Sequence, residues 1–192
     1  MPEARAYRAY SRDPATIAAL GPAFTASGYR LEVRVAMVQA FFDFASPLGG
    51  EYQVGSVQDA LSWSAFEESI WEEDREHGRT PAMTEQFIRL CHWRAGNTPH
   101  RFFIATEEDR ALGRLGLFQH GATAYLHGLY IRPAARRRGV GAALTRGMTA
   151  EMRAMGADRL TLECSDDGYL PGYYTRLGFR PVGQQHVWTR QS

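Results

Sequence analysis

Residues 131–142 read Ile-Arg-Pro-Ala-Ala-Arg-Arg-Arg-Gly-Val-Gly-Ala and lead from an apolar strand pattern into a helical one. Gly139 and Gly141 leave the backbone free of Cβ atoms where it must turn sharply. The amides of this first turn, those of Val140 and Ala142 among them, then point outward as donors at the positive end of the helix dipole. Arg136, Arg137 and Arg138 add charge of the same sign, and a pyrophosphate is the natural ligand. The pattern lacks the Gly-Lys-Ser/Thr of a P-loop and the third glycine of a dinucleotide fingerprint. Taken alone, the same spacing also serves as an ordinary tight turn between strand and helix. All 22 basic residues are arginine. Arginine keeps its proton near neutrality, so a lysine base or Schiff base is excluded.

The elements around this motif follow from periodicity. Asp13-Pro14 opens a helix running to about Ser27, with Gly21-Pro22 as a candidate break. Tyr29–Phe44 alternates as a strand, and Ser46–Gly50 reads as a linker. A short strand at Tyr52–Gly55 precedes a helix from Asp59 to about Glu76, whose buried face carries Trp63, Phe66 and Ile70. A second helix opens at Pro81, with Met83, Phe87, Leu90 and Cys91 as its apolar stripe. Strands at Arg101–Thr106, Leu112–His120 and Thr123–Ile131 form a meander, the first turn being Glu107-Glu108-Asp109. A helix from Gly139 to Met155, a strand at Leu160–Cys164, a short helix at Pro171–Leu177 and a strand at Gln185–Thr189 complete the chain. The strand–helix–strand step from 123 to 164 calls for a right-handed crossover and a parallel pair. The expected class is α/β (α+β), with a mixed, mostly antiparallel sheet and helices on both faces.

That element order, the Arg-x-x-Gly-x-Gly after a strand, and the downstream Tyr173-Tyr174-Thr175-Arg176-Leu177-Gly178-Phe179 together resemble the GNAT superfamily of N-acetyltransferases over roughly residues 51–190. The resemblance implies that Arg136, Gly139 and Gly141 hold the pyrophosphate of acetyl-CoA, and that Leu129, Tyr130 and Ile131 pair with its pantetheine arm. It also implies that Tyr174 faces the coenzyme sulfur. A phenol with a pKa of about 10 can protonate a departing thiolate while itself neutral. A backbone amide near Leu129 is the oxyanion donor on this reading. His127 is similar to one of two strand histidines in the arylalkylamine N-acetyltransferase branch, with Tyr125 in place of the other. An imidazole is a fitting proton acceptor, directly or through water. Tyr125, His127, Leu129 and Ile131 are expected on one face of their strand. Asp167 and Leu170 stand where many relatives carry Asn and Ala, which leaves Ser165 or Asp166 for the pantetheine contact.

The function expected from this resemblance is direct transfer of an acetyl group from acetyl-CoA to a primary amine of a small molecule or peptide, in a ternary complex. Neither Cys91 nor Cys164 sits at a motif position for an acyl-enzyme. The alternatives are a non-catalytic acyl-CoA-binding regulatory module and an enzyme using a longer acyl-CoA. Glu67, Glu68, Glu72, Glu73, Asp74 and Glu76 crowd one helix and read either as a solvated face or as an attractor for a cationic amine. Trp71 and Trp93 read as core, with an acceptor pocket as the other choice. The net charge of +1 gives no reason to expect nucleic acid or a membrane as partner. The histidines show no metal spacing, and the two unpaired cysteines suit a reducing cytoplasmic setting. Residues 1–48 read as a helix–strand extension of a core at 49–192, too small to fold alone. They are expected to join the core sheet or to make a homodimer contact.

Overall fold

The computed structural model describes residues 6–40, 52–108 and 110–191. The proposed linker at Ser46–Gly50, the Phe41-Phe42 end of the N-terminal strand and Asp109 lie outside them. By contacts the chain divides into two units, Met1–Gln39 with Thr161–Ser192, and Ala40–Leu160.

Capping residues set the helix starts in the larger unit. Asp59 accepts from the Ser62 amide at 2.8 Å while the Ser62 hydroxyl reaches back to the Asp59 amide, a capping box that opens α2 (Ala60–Glu76). Thr80 caps α3 (Pro81–Asn97), whose first turn carries a proline with no amide to waste. Between the helices and around them run β3 (Gln53–Ser56), β4 (His100–Glu107), β5 (Arg110–His120) and β6 (Thr123–Ile131), paired antiparallel in the order β6-β5-β4-β3. Helix α4 (Val140–Ala154) covers one face of these strands. Helices α2 and α3 cover the other, where Phe66, Ile70, Cys91, Phe102 and Ile104 form a buried cluster. The stripe expected on α3 is displaced. Met83 and Leu90 are exposed, and Thr84 and Cys91 are buried with Phe87 and Ile88 packed alongside. Trp93 is 57% exposed and belongs to no core.

The smaller unit holds β1 (Ala6–Ser11), α1 (Pro14–Ala26), β2 (Arg30–Ala40, its last residue in the larger unit), β7 (Arg159–Ser165, its first two residues in the larger unit), α5 (Leu170–Arg176) and β8 (Arg180–Gln191). Its strand order is β1-β8-β2-β7. Asp13 caps α1 as expected, and the helix continues through Pro22. The N-terminal strand finds its partner in β8, which β1 flanks on the other edge, both antiparallel. Phe24 stacks on the buried Trp188 with ring centroids 5.4 Å apart. Strand β1 escaped the sequence reading because Tyr-Arg-Ala-Tyr offers no apolar face; only its pairing with β8 makes it a strand. The fold as described is mixed α/β, and the pairs β1–β8, β2–β8, β3–β4, β4–β5 and β5–β6 are antiparallel. No described helix is long and apolar enough to cross a membrane.

Candidate functional site

The carboxylates of α2 meet arginines from β5 and from the loop that follows β6. Glu68 and Glu72 pair with Arg132 at 3.2 and 2.9 Å. Glu73 pairs with Arg114, and Glu76 with Arg136 at 2.7 Å. Glu67 pairs with His92 at 2.7 Å, and the buried Asp74 with Arg79 at 2.6 Å. The acidic run is thus neither a bare solvated face nor a free attractor for a cation; its charge is largely matched. Arg114 and Arg132 are 3% and 4% exposed, and sequence reasoning missed both. The available signal was an arginine in the middle of the otherwise apolar run Ala111–Phe118.

Strand β6 changes phase midway. Arg114 stands opposite Tyr130, but Gly116 stands opposite His127, so β6 advances three residues while β5 advances two. This is a β-bulge, and Gly128 occupies it with φ +61°, a conformation glycine adopts without strain. The bulge overturns the expectation of a shared face. His127 turns toward α2 and α3, its ring 5.4 Å from that of His100 and 6.3 Å from that of Phe102. Ile131 lies on the α4 side, where a Cβ on the neighbouring Gly113 would meet both Ile131 and Leu144 of α4. Tyr130 takes the α2 side in its place and donates to Glu76 at 3.2 Å. Burial and this bond push the Tyr130 hydroxyl up to about 12.

His127 lies flat over the backbone of Gly116, where any Cβ would collide with the imidazole. Its Nε2 is buried without a hydrogen-bond partner among the described residues. Burial, with smaller contributions from His100, Arg94 and Arg114, pulls its pKa down to about 4. It is therefore a neutral ring at physiological pH, with an acceptor or donor nitrogen left unused.

Gly139, at φ +86°, caps α4 and provides no side-chain acceptor. The first-turn amides of Val140, Gly141 and Ala142 thus receive no side-chain cap from Gly139, and the first helical bond runs from Ala143 to the Gly139 carbonyl. Such an array fits an anionic diphosphate. Of the arginines beside it, Arg136 is held by Glu76 and by the Ile131 carbonyl at 3.1 Å. Arg138 is held by Glu107 at 2.6 Å and lies over the ring of Tyr52. Arg137, exposed and at φ +62°, has no such carboxylate among the described residues. The loop's positive charge is therefore partly matched, and the backbone donors are its constant feature.

Tyr174 lies in α5 and is 6% exposed, with its ring edge-on to Tyr173 at 5.1 Å and to Phe179 at 5.6 Å. Gln39 donates to the Leu177 carbonyl at 3.1 Å and ties the end of α5 to β2. Asp166 receives a bond from Gln184 and its amide binds the Val33 carbonyl, and the Asp167 amide binds the Ser165 hydroxyl at 3.3 Å. Within the larger unit the structure brings His127, the bulge at Leu129, and Tyr130 through Ala142 onto one continuous strand-to-helix path. Tyr174 belongs to the other unit.

The GNAT acetyltransferase family model matches residues 63–179. Comparison with the curated proteins finds no match. Among solved structures, a GCN5-related N-acetyltransferase from Sphaerobacter thermophilus superposes with a TM-score of 0.74 at 17% identity, covering 98% of this chain and 60% of its own. A conserved protein of unknown function from Staphylococcus epidermidis gives 0.71 at 10% identity, with 96% and 72% covered. A GCN5-related N-acetyltransferase from Kribbella flavida gives 0.59 at 14% identity, with 88% and 63% covered. At these identities the likeness is one of fold. With the family model spanning more than half of the sequence, the chain belongs to the GNAT acetyltransferase family, whose members move an acyl group from acyl-CoA to an acceptor.

Proposed function

We propose that the protein transfers an acetyl group from acetyl-CoA to a primary amine directly, within a ternary complex. The observation that carries this reading is the glycine-capped start of α4, whose first-turn amides follow directly on a bulged strand. Gly139, Val140, Gly141 and Ala142, with Arg136, Arg137 and Arg138, hold the diphosphate. Leu129, Tyr130 and Ile131 offer backbone groups to the pantetheine arm in the manner of an added strand. The amine nitrogen bonds to the thioester carbon as the carbon–sulfur bond breaks. The Leu129 amide steadies the developing oxyanion. Tyr174 gives its proton to the leaving thiolate, an assignment that rests on its sequence motif.

The shifted pKa defines what His127 can do. A free alkylammonium has a pKa near that of lysine, about 10.4, so taking its proton at a site of about 4 costs roughly 9 kcal/mol. His127 is thus no base for the ammonium. It accepts the proton that nitrogen sheds after attack, when the amine has become far more acidic. At saturating acceptor, kcat is expected to hold until pH falls toward about 4, where His127 becomes charged. His127→Ala should lower kcat by about 10²-fold and abolish that limb. A wild-type midpoint near 6.5, or an unaltered limb in the variant, would remove His127 as acceptor.

The reading is tested by thermal-shift titration with acetyl-CoA, CoA and longer acyl-CoAs. At 100 times its dissociation constant a ligand adds about 2.7 kcal/mol, a rise of roughly 5–10 °C for a chain this size. Acetyl-CoA is expected to give that rise and to exceed the longer donors. A larger shift with a long acyl-CoA would change the donor. No shift from any of them would reduce the glycine loop to a structural turn. Binding without turnover across an amine panel would favour the non-catalytic acyl-CoA module.

A further inference from the structure

Arg114 is placed as few strand arginines are. It is 3% exposed, its guanidinium lies 5.5 Å from the Phe66 ring centroid and 5.7 Å from that of Tyr130, and Glu73 neutralises one end. Its other end donates from Nη1 to the carbonyl of Gly128 at 3.0 Å. Nε has no acceptor among the described residues, a cost that a pair selected only for stability would avoid. The bonded carbonyl belongs to the bulge, at the glycine with φ +61°.

A trans peptide is planar, and its C=O and N–H point in opposite directions. The carbonyl of Gly128 and the amide of Leu129 are one such unit, and no peptide in the described residues is cis. Fixing the carbonyl on Arg114 therefore fixes the direction of the Leu129 N–H. A bulge removes its residues from one-to-one pairing, so the ladder alone does not set that direction. A hydrogen bond from a cation is also stronger than a neutral one and polarises the peptide, making its N–H a better donor.

We propose that Arg114 is a positioning residue for acyl transfer: its buried guanidinium grips the Gly128 carbonyl and so aims and strengthens the Leu129 N–H that receives the developing oxyanion. This rests on the acyl-transfer reading above. Arg114 touches neither substrate, and its effect belongs in the transition state rather than in coenzyme binding.

The test uses the full chain and two variants. Arg114→Met with Glu73→Gln removes both charges together, so no buried ion is left alone. Arg114→Lys keeps the charge beside Glu73, but a single ammonium lacks the fork that spans Glu73 and Gly128. Thiol release is followed with acetyl-CoA and a panel of 2-phenylethylamine, spermidine and a short peptide with a free amino terminus. Both variants are expected to lose about 10- to 100-fold in kcat while KM for acetyl-CoA stays within about twofold. The 15N–1H resonance of Leu129 should move in both. Should the double variant fail to fold, Arg114→Lys carries the same test. A kcat within twofold of wild type, a loss confined to KM, or an unmoved Leu129 resonance overturns the inference while the acyl-transfer reading stands. A wild type that binds acetyl-CoA yet acetylates nothing in the panel removes both.

Discussion

Tyr174→Phe is expected to lower kcat by about 10²-fold or more while the dissociation constant for acetyl-CoA changes less than about twofold. The substitution removes one oxygen and leaves the ring, so the edge-on contacts with Tyr173 and Phe179 that hold it in α5 persist. Folding and coenzyme affinity should thus be preserved, and the loss should be confined to the chemical step. Stopped-flow or steady-state thiol release beside calorimetric titration of acetyl-CoA separates the two. Unchanged turnover would mean that the thiolate leaves without this phenol, and Tyr174 would then be only a packed aromatic.

Arg114→Met alone is expected to destabilise the chain by about 3–5 kcal/mol, because it leaves the Glu73 carboxylate without its partner on the buried side of α2. Adding Glu73→Gln should recover a large part of that loss, since a neutral amide tolerates the site far better than an unpaired charge. Urea midpoints of the single and double variants measure the difference. A single variant within about 1 kcal/mol of wild type would show that water reaches Glu73 freely enough to replace the guanidinium.

The parts legible in the sequence are those that local rules decide. Asp59, Thr80 and Asp13 mark helix starts because a short oxygen-bearing side chain at that position satisfies orphan amides whatever surrounds it. Gly139 at the head of α4 was legible for a similar reason: the turn demands a positive φ. What remained hidden depends on partners distant along the chain. The α2 carboxylates read as solvent-facing because nothing local announces that Arg114, Arg132 and Arg136 will lie over them. Trp93 read as core because its size says nothing about which side of α3 is covered. The bulge was hidden in a strand whose glycine looked like one more small residue, and so the faces of Ile131 and Tyr130 were assigned by simple alternation. The site residues are legible through the family motifs; the paired arginines and the lowered pKa of His127 depend on tertiary packing.

That bulge makes β6 a strand with two reading frames. Before Gly128, odd-numbered positions look toward α2 and α3; after it, even-numbered ones do, and His127, Tyr130 and Arg132 share that side only because the bulge inserts one extra residue between them. Substitutions along β6 change what one position presents. Deleting Gly128 would instead exchange the two frames beyond it, turning Tyr130 and Arg132 into the apolar packing under α4 and Ile131 into the carboxylates of α2. A single lost codon there would do more harm than almost any single replacement, and tolerance to length change should be lowest where the strand looks most regular in sequence.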